Sequence, residues 1–226
     1  MSIKKSNTIK SYEITSESIY LERRKLIKSM SVASAMLPWG ITLSQSTKDD
    51  SYIPTYKRNS IYSTLEPKNS FEDITTYNNF YEFGMGKTDP STNSEKFISR
   101  PWSIKIEGLV NKPFTIDLED LLKKFVIEDR IYRLRCVEAW SMVIPWQGFS
   151  LSKLIKLAQP LESAKFIQFE TVFRPDEMPG QNRQTLPWPY VEGLRMDEAM
   201  HPLVILSTGL YGHNLLNQNG APLRLV

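Results

Sequence analysis

The chain has 226 residues, 41% of them hydrophobic and 23% charged, a composition that suits one folded domain of some size and argues against disorder over most of its length. The formal net charge of +3 is unevenly spread: residues 1–28 carry seven Lys and Arg against three Glu, a surplus of +4, so the remainder sums to −1. A near-neutral body is a poor nucleic-acid binder, and the single cysteine, Cys136, excludes an internal disulfide framework.

In chain order, Arg23-Arg24 stand ahead of a modest apolar run at 30–37 that is broken by serines and far too short to span a bilayer. This resembles a twin-arginine export signal, with Glu22 where a Ser or Thr usually precedes the pair; a basic surface helix is the alternative. Residues 1–40 are therefore expected to be an export signal, with Ala33-Ser34-Ala35 as one possible cleavage site. That route carries proteins already folded, which suits a cofactor inserted before export. Residues 41–70 are rich in Ser, Thr, Lys and Asn, contain Pro54 and Pro67, and show no periodicity, so they read as a linker or an extended arm laid over the domain. The run at 77–84, Tyr-Asn-Asn-Phe-Tyr-Glu-Phe-Gly, sets four aromatics around two amides and an acid. It suits either a turn with a hydrophobic anchor or a pocket for a polar heterocycle.

From 103 onward, Ile104, Ile106 and Gly108 alternate with Lys105 and Glu107 in a half-buried strand, and 111–113 turns the chain. Asp117 is placed to cap a short helix whose apolar face is Leu118, Leu121, Leu122 and Phe125. A strand is expected over 130–136, with Tyr132, Leu134 and Cys136 on one face and Arg133 and Arg135 on the other. Pro145-Trp146 and Gly148 are expected to break the chain. Leu151, Leu154, Ile155 and Ala158 mark another helix, ended by Pro160, and 164–172 a further strand. A long loop rich in Pro and polar residues spans 174–190, and loops of that length are commonly functional. A helical turn at 196–200 precedes an apolar strand at 202–206, and the last four residues read as the first half of a strand. Strands and short helices interleave irregularly, without a βαβ repeat or a glycine-rich phosphate loop, so the expected class is α+β.

The chemistry centres on Arg133-Leu134-Arg135-Cys136-Val137-Glu138-Ala139-Trp140. A lone cysteine is by default a small buried hydrophobe. Neighbouring guanidinium groups favour the thiolate, the form that attacks carbon or binds a soft metal, so Cys136 reads as either a nucleophile or a metal ligand. His201 and His213 are the only histidines, and neither sits in a recognisable Cys/His signature. Zinc and iron–sulfur sites fail on ligand count. Any metal here must arrive with a cofactor that brings most of its ligands.

Four motifs then converge: 135–142 around the cysteine, the run at 77–84, 189–202 (Pro-Tyr-Val-Glu-Gly-Leu-Arg through Asp-Glu-Ala-Met-His-Pro), and Asn219-Gly220-Ala221-Pro222 with Arg224. Together they resemble the catalytic subunits of bacterial periplasmic protein-methionine-sulfoxide reductases, in the sulfite-oxidase-like molybdopterin family. The resemblance runs from the paired arginines to the last residue. It implies a sulfite-oxidase-like molybdopterin-binding α+β domain over 71–226, and a molybdenum–molybdopterin cofactor with Cys136 as the protein's metal ligand. Asn78, Tyr81, Glu82 and Thr171 then fall on pterin-binding positions, while Asn219 and Arg224 hold the pterin and its phosphate. Glu138 is placed near the metal as a second catalytic residue by its closeness in sequence.

The implied activity is reduction of methionine sulfoxide in exported proteins by oxygen-atom transfer. Electrons would come from a haem-containing integral-membrane partner, the substrates would be oxidised periplasmic proteins, and export would use the twin-arginine machinery. Family members continue past the position of Val226. The chain is thus expected to be truncated, with uncovered strand edges, poor solubility and weak cofactor retention. A sulfite-oxidase-type enzyme of the same fold and a non-catalytic remnant are the competing readings.

Overall fold

The computed structural model describes residues 56–226. The expected export signal at 1–40 and the first part of the expected arm lie outside the described residues. A long antiparallel hairpin carries everything else: β4 (Ile127–Arg135) pairs with β5 (Ser141–Ser150) from Glu128↔Gly148 to Arg135↔Ser141. The expected strand at 130–136 is thus present but starts earlier. The break expected at Pro145 and Gly148 does not occur, because every residue from Met142 to Ser150 is buried and the gain from burial outweighs the local turn preference. Pro145 cannot donate to the ladder, but its carbonyl accepts the Tyr211 N–H at 3.0 Å. Gly148 is accommodated by a register shift between Gln147 and Gly148. A Cβ there would lie 2.4 Å from the Leu206 carbonyl oxygen, so only glycine lets the next strand approach so closely.

That next strand is β8 (Ile205–Leu210), antiparallel to β5 and buried throughout. The sheet runs β1 (Tyr56–Arg58), β4, β5, β8, β10 (Arg224–Leu225), with β9 (His213–Asn214) also pairing β8; β1 alone is parallel to its neighbour. The apolar strand expected at 202–206 lies a few residues later, since Pro202 and Leu203 occupy the preceding turn. Residues 59–69 follow β1 across the hairpin, through Asn59 N–H to Asp129 O, Thr64 N–H to Ile131 O and Asn69 N–H to Val143 O.

Two hairpins and three helices pack on the sheet. β2 (Ser103–Ile106) pairs with β3 (Phe114–Asp117), and β6 (Phe166–Glu170) with β7 (Val191–Arg195). The helices α3 (Leu118–Lys124), α4 (Leu151–Ala158) and α5 (Met196–Ala199) supply Leu118, Leu121, Leu122, Leu151, Leu154, Ile155 and Ala199 to a core that includes Ile127, Phe149 and Leu206. Each fully buried leucine of this set contributes about 2 kcal/mol. Asp117 occupies the N-cap position of α3 yet makes no side-chain cap bond, because it is also the last residue of β3 and its backbone is extended. Before the hairpins, α1 (Phe71–Thr76) and α2 (Asp89–Asn93) flank the aromatic run at 77–84. Phe83, Phe97 and Met178 form a second buried cluster that fixes this run against the 174–190 loop. The architecture is α+β with mixed strands and short helices. Among the described residues, no helix is long and apolar enough to cross a membrane.

Candidate functional site

The β4–β5 loop is five residues long and tightly closed. Cys136 N–H donates to the Trp140 carbonyl at 2.9 Å, and Ala139 N–H to the Cys136 carbonyl at 3.1 Å. Ala139 is left-handed at φ 70°, a conformation costing about 1 kcal/mol for a residue with a Cβ. The alternation of the hairpin turns Leu134, Cys136, Met142, Ile144 and Trp146 into a cavity of about 170 Å³. Its other walls are Tyr77, Asn78, Asn79 and Phe80 from the aromatic run, Ile74 of α1, and Arg224 of β10. As the strand pattern predicts, Cys136 shares a face with Leu134. Arg133 is instead engaged by the Ser141 hydroxyl at 2.9 Å and by an ion pair with Glu66. Arg224, on the opposite wall of the cavity, interacts electrostatically with Cys136.

The polar inventory of this cavity is incomplete. Asn78 Nδ2 and Asn219 Nδ2 both donate to the Ile74 carbonyl, at 2.8 and 2.9 Å, which leaves both Oδ1 atoms buried without a donor. Arg224 Nη1 donates to the Asn219 carbonyl at 3.0 Å, and its guanidinium lies 5.0 Å from the centre of the Trp146 ring and 5.8 Å from that of Phe80. Its Nε and the Trp146 Nε1 are buried without acceptors. No carboxylate pairs with Arg224 among the described residues, and burial lowers its pKa to about 10. Unpaired buried polar atoms are rare and costly. Three of them, Asn78 Oδ1, Trp146 Nε1 and Arg224 Nε, belong to residues that line the cavity with Cys136, and Asn219 Oδ1 lies behind, on the Ile74 carbonyl that Asn78 shares.

At the mouth, Glu138 gathers three donors. Its carboxylate pairs with Lys87, accepts the Tyr81 hydroxyl at 3.2 Å and accepts the Trp140 indole N–H at 3.3 Å. The hydrogen bond from Lys87 is the main reason its carboxyl sits below the usual range. Tyr77 closes edge-on against Trp140 at 5.4 Å. Glu82 is buried one turn behind, and desolvation raises its pKa. Its carbonyl accepts the Gly180 N–H at 2.7 Å, and a Cβ on Gly180 would meet the Tyr81 carbonyl at 1.9 Å, so the 174–190 loop braces this segment at a glycine. Thr171 lies elsewhere: it bonds the Tyr190 carbonyl through its backbone N–H at 3.0 Å and its hydroxyl at 3.3 Å, outside the cavity lining.

Of the residues singled out from sequence, Cys136, Asn78 and Arg224 line one cavity, Asn219 shares a carbonyl with Asn78, and Glu138 and Tyr81 meet at the mouth. Sequence reasoning missed Lys87, Asn79 and Trp146. Only Asn79 carried a signal, as part of the amide-aromatic run. Among the described residues no three His, Cys, Asp or Glu side chains cluster to hold a metal ion, so a metal at Cys136 would need ligands from elsewhere.

Residues 91–226 match the family model described as "Oxidoreductase molybdopterin binding domain"; Cys136, Glu138, Thr171, Asn219 and Arg224 fall inside the match, and the 77–84 run precedes it. The chain is 50% identical over 216 residues to the protein-methionine-sulfoxide reductase catalytic subunit MsrP of Gluconobacter oxydans, a similarity covering 95% of this chain and 66% of that protein. The chain thus spans just under two thirds of the length of that relative. Among solved structures, the sulfane dehydrogenase SoxCD of Paracoccus pantotrophus is similar at a TM-score of 0.48 and 17% identity, covering 86% of this chain and 54% of that one.

Proposed function

The chain belongs to the family of oxidoreductase molybdopterin-binding domains, and on that premise we propose that it reduces methionine sulfoxide in exported proteins at a molybdenum–molybdopterin centre held at Cys136. One observation carries the proposal: the chain's sole thiol and a guanidinium with a buried Nε and, among the described residues, no carboxylate partner line the same cavity. When bound, the cofactor supplies the oxygen-atom acceptor and the two-electron chemistry.

The protein's own groups fit that occupant. Cys136 offers a soft, electron-donating thiolate to the metal. Arg224 answers an anion such as a phosphate, for which a buried guanidinium with free N–H donors is suited. Asn78 Oδ1 and Asn219 Oδ1 would be free to accept from N–H donors of a bound heterocycle, and Trp146 Nε1 to donate to an acceptor. Tyr81 and Glu82, next to the lining residues Asn78 to Phe80, join the proposed pterin-binding set, and Thr171, outside the lining, is proposed for it on the resemblance alone. Glu138, held as a carboxylate at the mouth, can take a proton at Oε1, where Tyr81 already donates. Exposed Tyr77, edge-on against Trp140 at the cavity wall, offers an aromatic surface for a protruding side chain on another protein. The similarity to a relative named as a catalytic subunit supports a separate partner subunit, which we propose to be a haem-containing membrane electron donor, and the paired arginines Arg23-Arg24 support a periplasmic site reached through the twin-arginine machinery.

The test is Cys136→Ser, assayed for molybdenum content and for methionine sulfoxide turnover with an artificial electron donor. Loss of the protein's ligand should lower turnover by more than about a hundredfold, beyond the effect typical of outer-shell changes. Turnover equal to that of the unaltered chain would overturn the proposal.

A further inference from the structure

Lys87 belongs to none of the motifs, yet it ties together the two walls of the cavity. Its backbone carbonyl accepts the Asn78 N–H at 2.9 Å, its Nζ donates to Asn79 Oδ1 at 2.9 Å, and the same ammonium pairs with the Glu138 carboxylate. It also lies 5.9 Å from the centre of the Tyr81 ring, within cation–π range. One cation therefore joins the 77–83 segment, which carries the amides, to the 136–140 loop, which carries the thiol. Glu138 multiplies the effect, because its other two donors, Tyr81 Oη and Trp140 Nε1, come from those same two segments.

A lysine can only donate, so its bond to Asn79 Oδ1 fixes which end of that amide is which. The Asn79 NH2 group, with no acceptor among the described residues, is the end left for an occupant of the cavity that Asn79 lines. We infer that Lys87 is a positioning residue: it latches the cysteine loop to the amide segment and holds Asn79 so that its NH2 serves as a donor to an oxygen acceptor, such as a sulfoxide oxygen. The inference rests on the proposed function only for the identity of that oxygen. The latch itself is a property of the chain.

The Lys87 side chain is one-quarter exposed and packs in no core cluster, so its replacement is expected to leave the fold intact. The experiment measures backbone hydrogen exchange on the full chain, with and without cofactor, for Lys87→Met and Lys87→Arg. Releasing the latch in Lys87→Met should speed exchange at 136–140 and 77–83 by about three- to tenfold, the scale of a partly exposed ion pair reinforced by a network. Exchange in β5 and β8 should not change, and Lys87→Arg should restore most of the protection. On the loaded enzyme, Lys87→Met should raise KM for methionine sulfoxide by about the same factor with a smaller change in kcat, as expected for lost substrate orientation.

Unchanged exchange at 136–140 overturns the latch, and faster exchange across the whole sheet reduces Lys87 to a general stability role, which also overturns it. Local acceleration with an unaltered KM overturns the claim that Asn79 is being positioned for substrate. If the unaltered chain turns over no sulfoxide, the proposed function fails while the exchange result still decides the latch.

Discussion

Two guanidinium groups neighbour one tryptophan, and they could hardly be less alike. Arg130 is Trp146's cross-strand partner, is 2% exposed, and is fully answered: Glu128 at 2.8 and 3.0 Å, the Pro202 carbonyl at 2.6 Å, the Ser150 hydroxyl at 2.9 Å and the Tyr62 ring at 4.6 Å. Arg224, against the ring of the same Trp146, has one carbonyl and two ring faces. A buried charge with a complete set of partners is architecture, since its desolvation is offset inside the protein. A buried charge without an anion has its compensation still to come. The contrast separates the structural end of the β4–β5 hairpin from its functional end without reference to any relative.

The comparison breaks most visibly if Arg130 is replaced. Arg130→Met should cost about 3 kcal/mol of unfolding free energy, because it leaves Glu128 with only Asn59 and Lys153 as partners and the Pro202 carbonyl and Ser150 hydroxyl without their donor. Urea denaturation measures it, and a loss below about 1 kcal/mol would show the network to be dispensable. Arg224→Met should do the reverse. In the cofactor-free chain its stability should be equal to or above that of the unaltered protein, as expected when a poorly compensated buried charge is replaced by an apolar side chain of similar length. With cofactor, the variant should lose about 2 kcal/mol of ligand-linked stabilisation, since a charge-assisted contact to an anion is absent. Thermal melts of the loaded and cofactor-free forms check both signs. A cofactor-free variant that melts well below the unaltered chain would make Arg224 structural like Arg130.

Much of this was legible in the sequence, and the rest has physical causes. The face alternation that puts Cys136 with Leu134 and away from Arg133 follows from strand period, and it holds because the hairpin stays regular up to Arg135. The helices at 118 and 151 were readable from leucine spacing alone. β5 was misread because Pro145 and Gly148 are local signals, whereas the burial that overrides them comes from β4 and β8, both distant in sequence. The same distance hid Lys87, whose partner Glu138 is on another segment altogether. Asn78 and Asn219 could be proposed as ligands by resemblance. That both amides donate to the single Ile74 carbonyl, leaving both Oδ1 atoms unpaired, could not be read from any local pattern.

Glu82 offers the finest test of the contrast, because it is a buried acid for which no cation is provided among the described residues. Desolvation raises its folded-state pKa above the usual carboxyl value. In the pH window between those two values the unfolded chain ionises while the folded chain keeps its proton, so stability falls as pH rises through that window. Below it both states are protonated and the group is neutral to folding. Glu66, Glu128 and Asp197 have lowered pKa values and work in the opposite direction, and they do so equally in a variant at position 82. The difference between Glu82→Gln and the unaltered chain therefore isolates this one carboxyl. In the absence of cofactor, Glu82→Gln should melt close to the unaltered chain near pH 4 and above it at pH 7, with a gap of a few degrees that opens monotonically between, the size expected of roughly 1 kcal/mol in a domain of this length. A gap that closes with rising pH would mean that Glu82 has a cationic partner in the folded chain, and would move it from the unanswered class to which Arg224 belongs into that of Arg130.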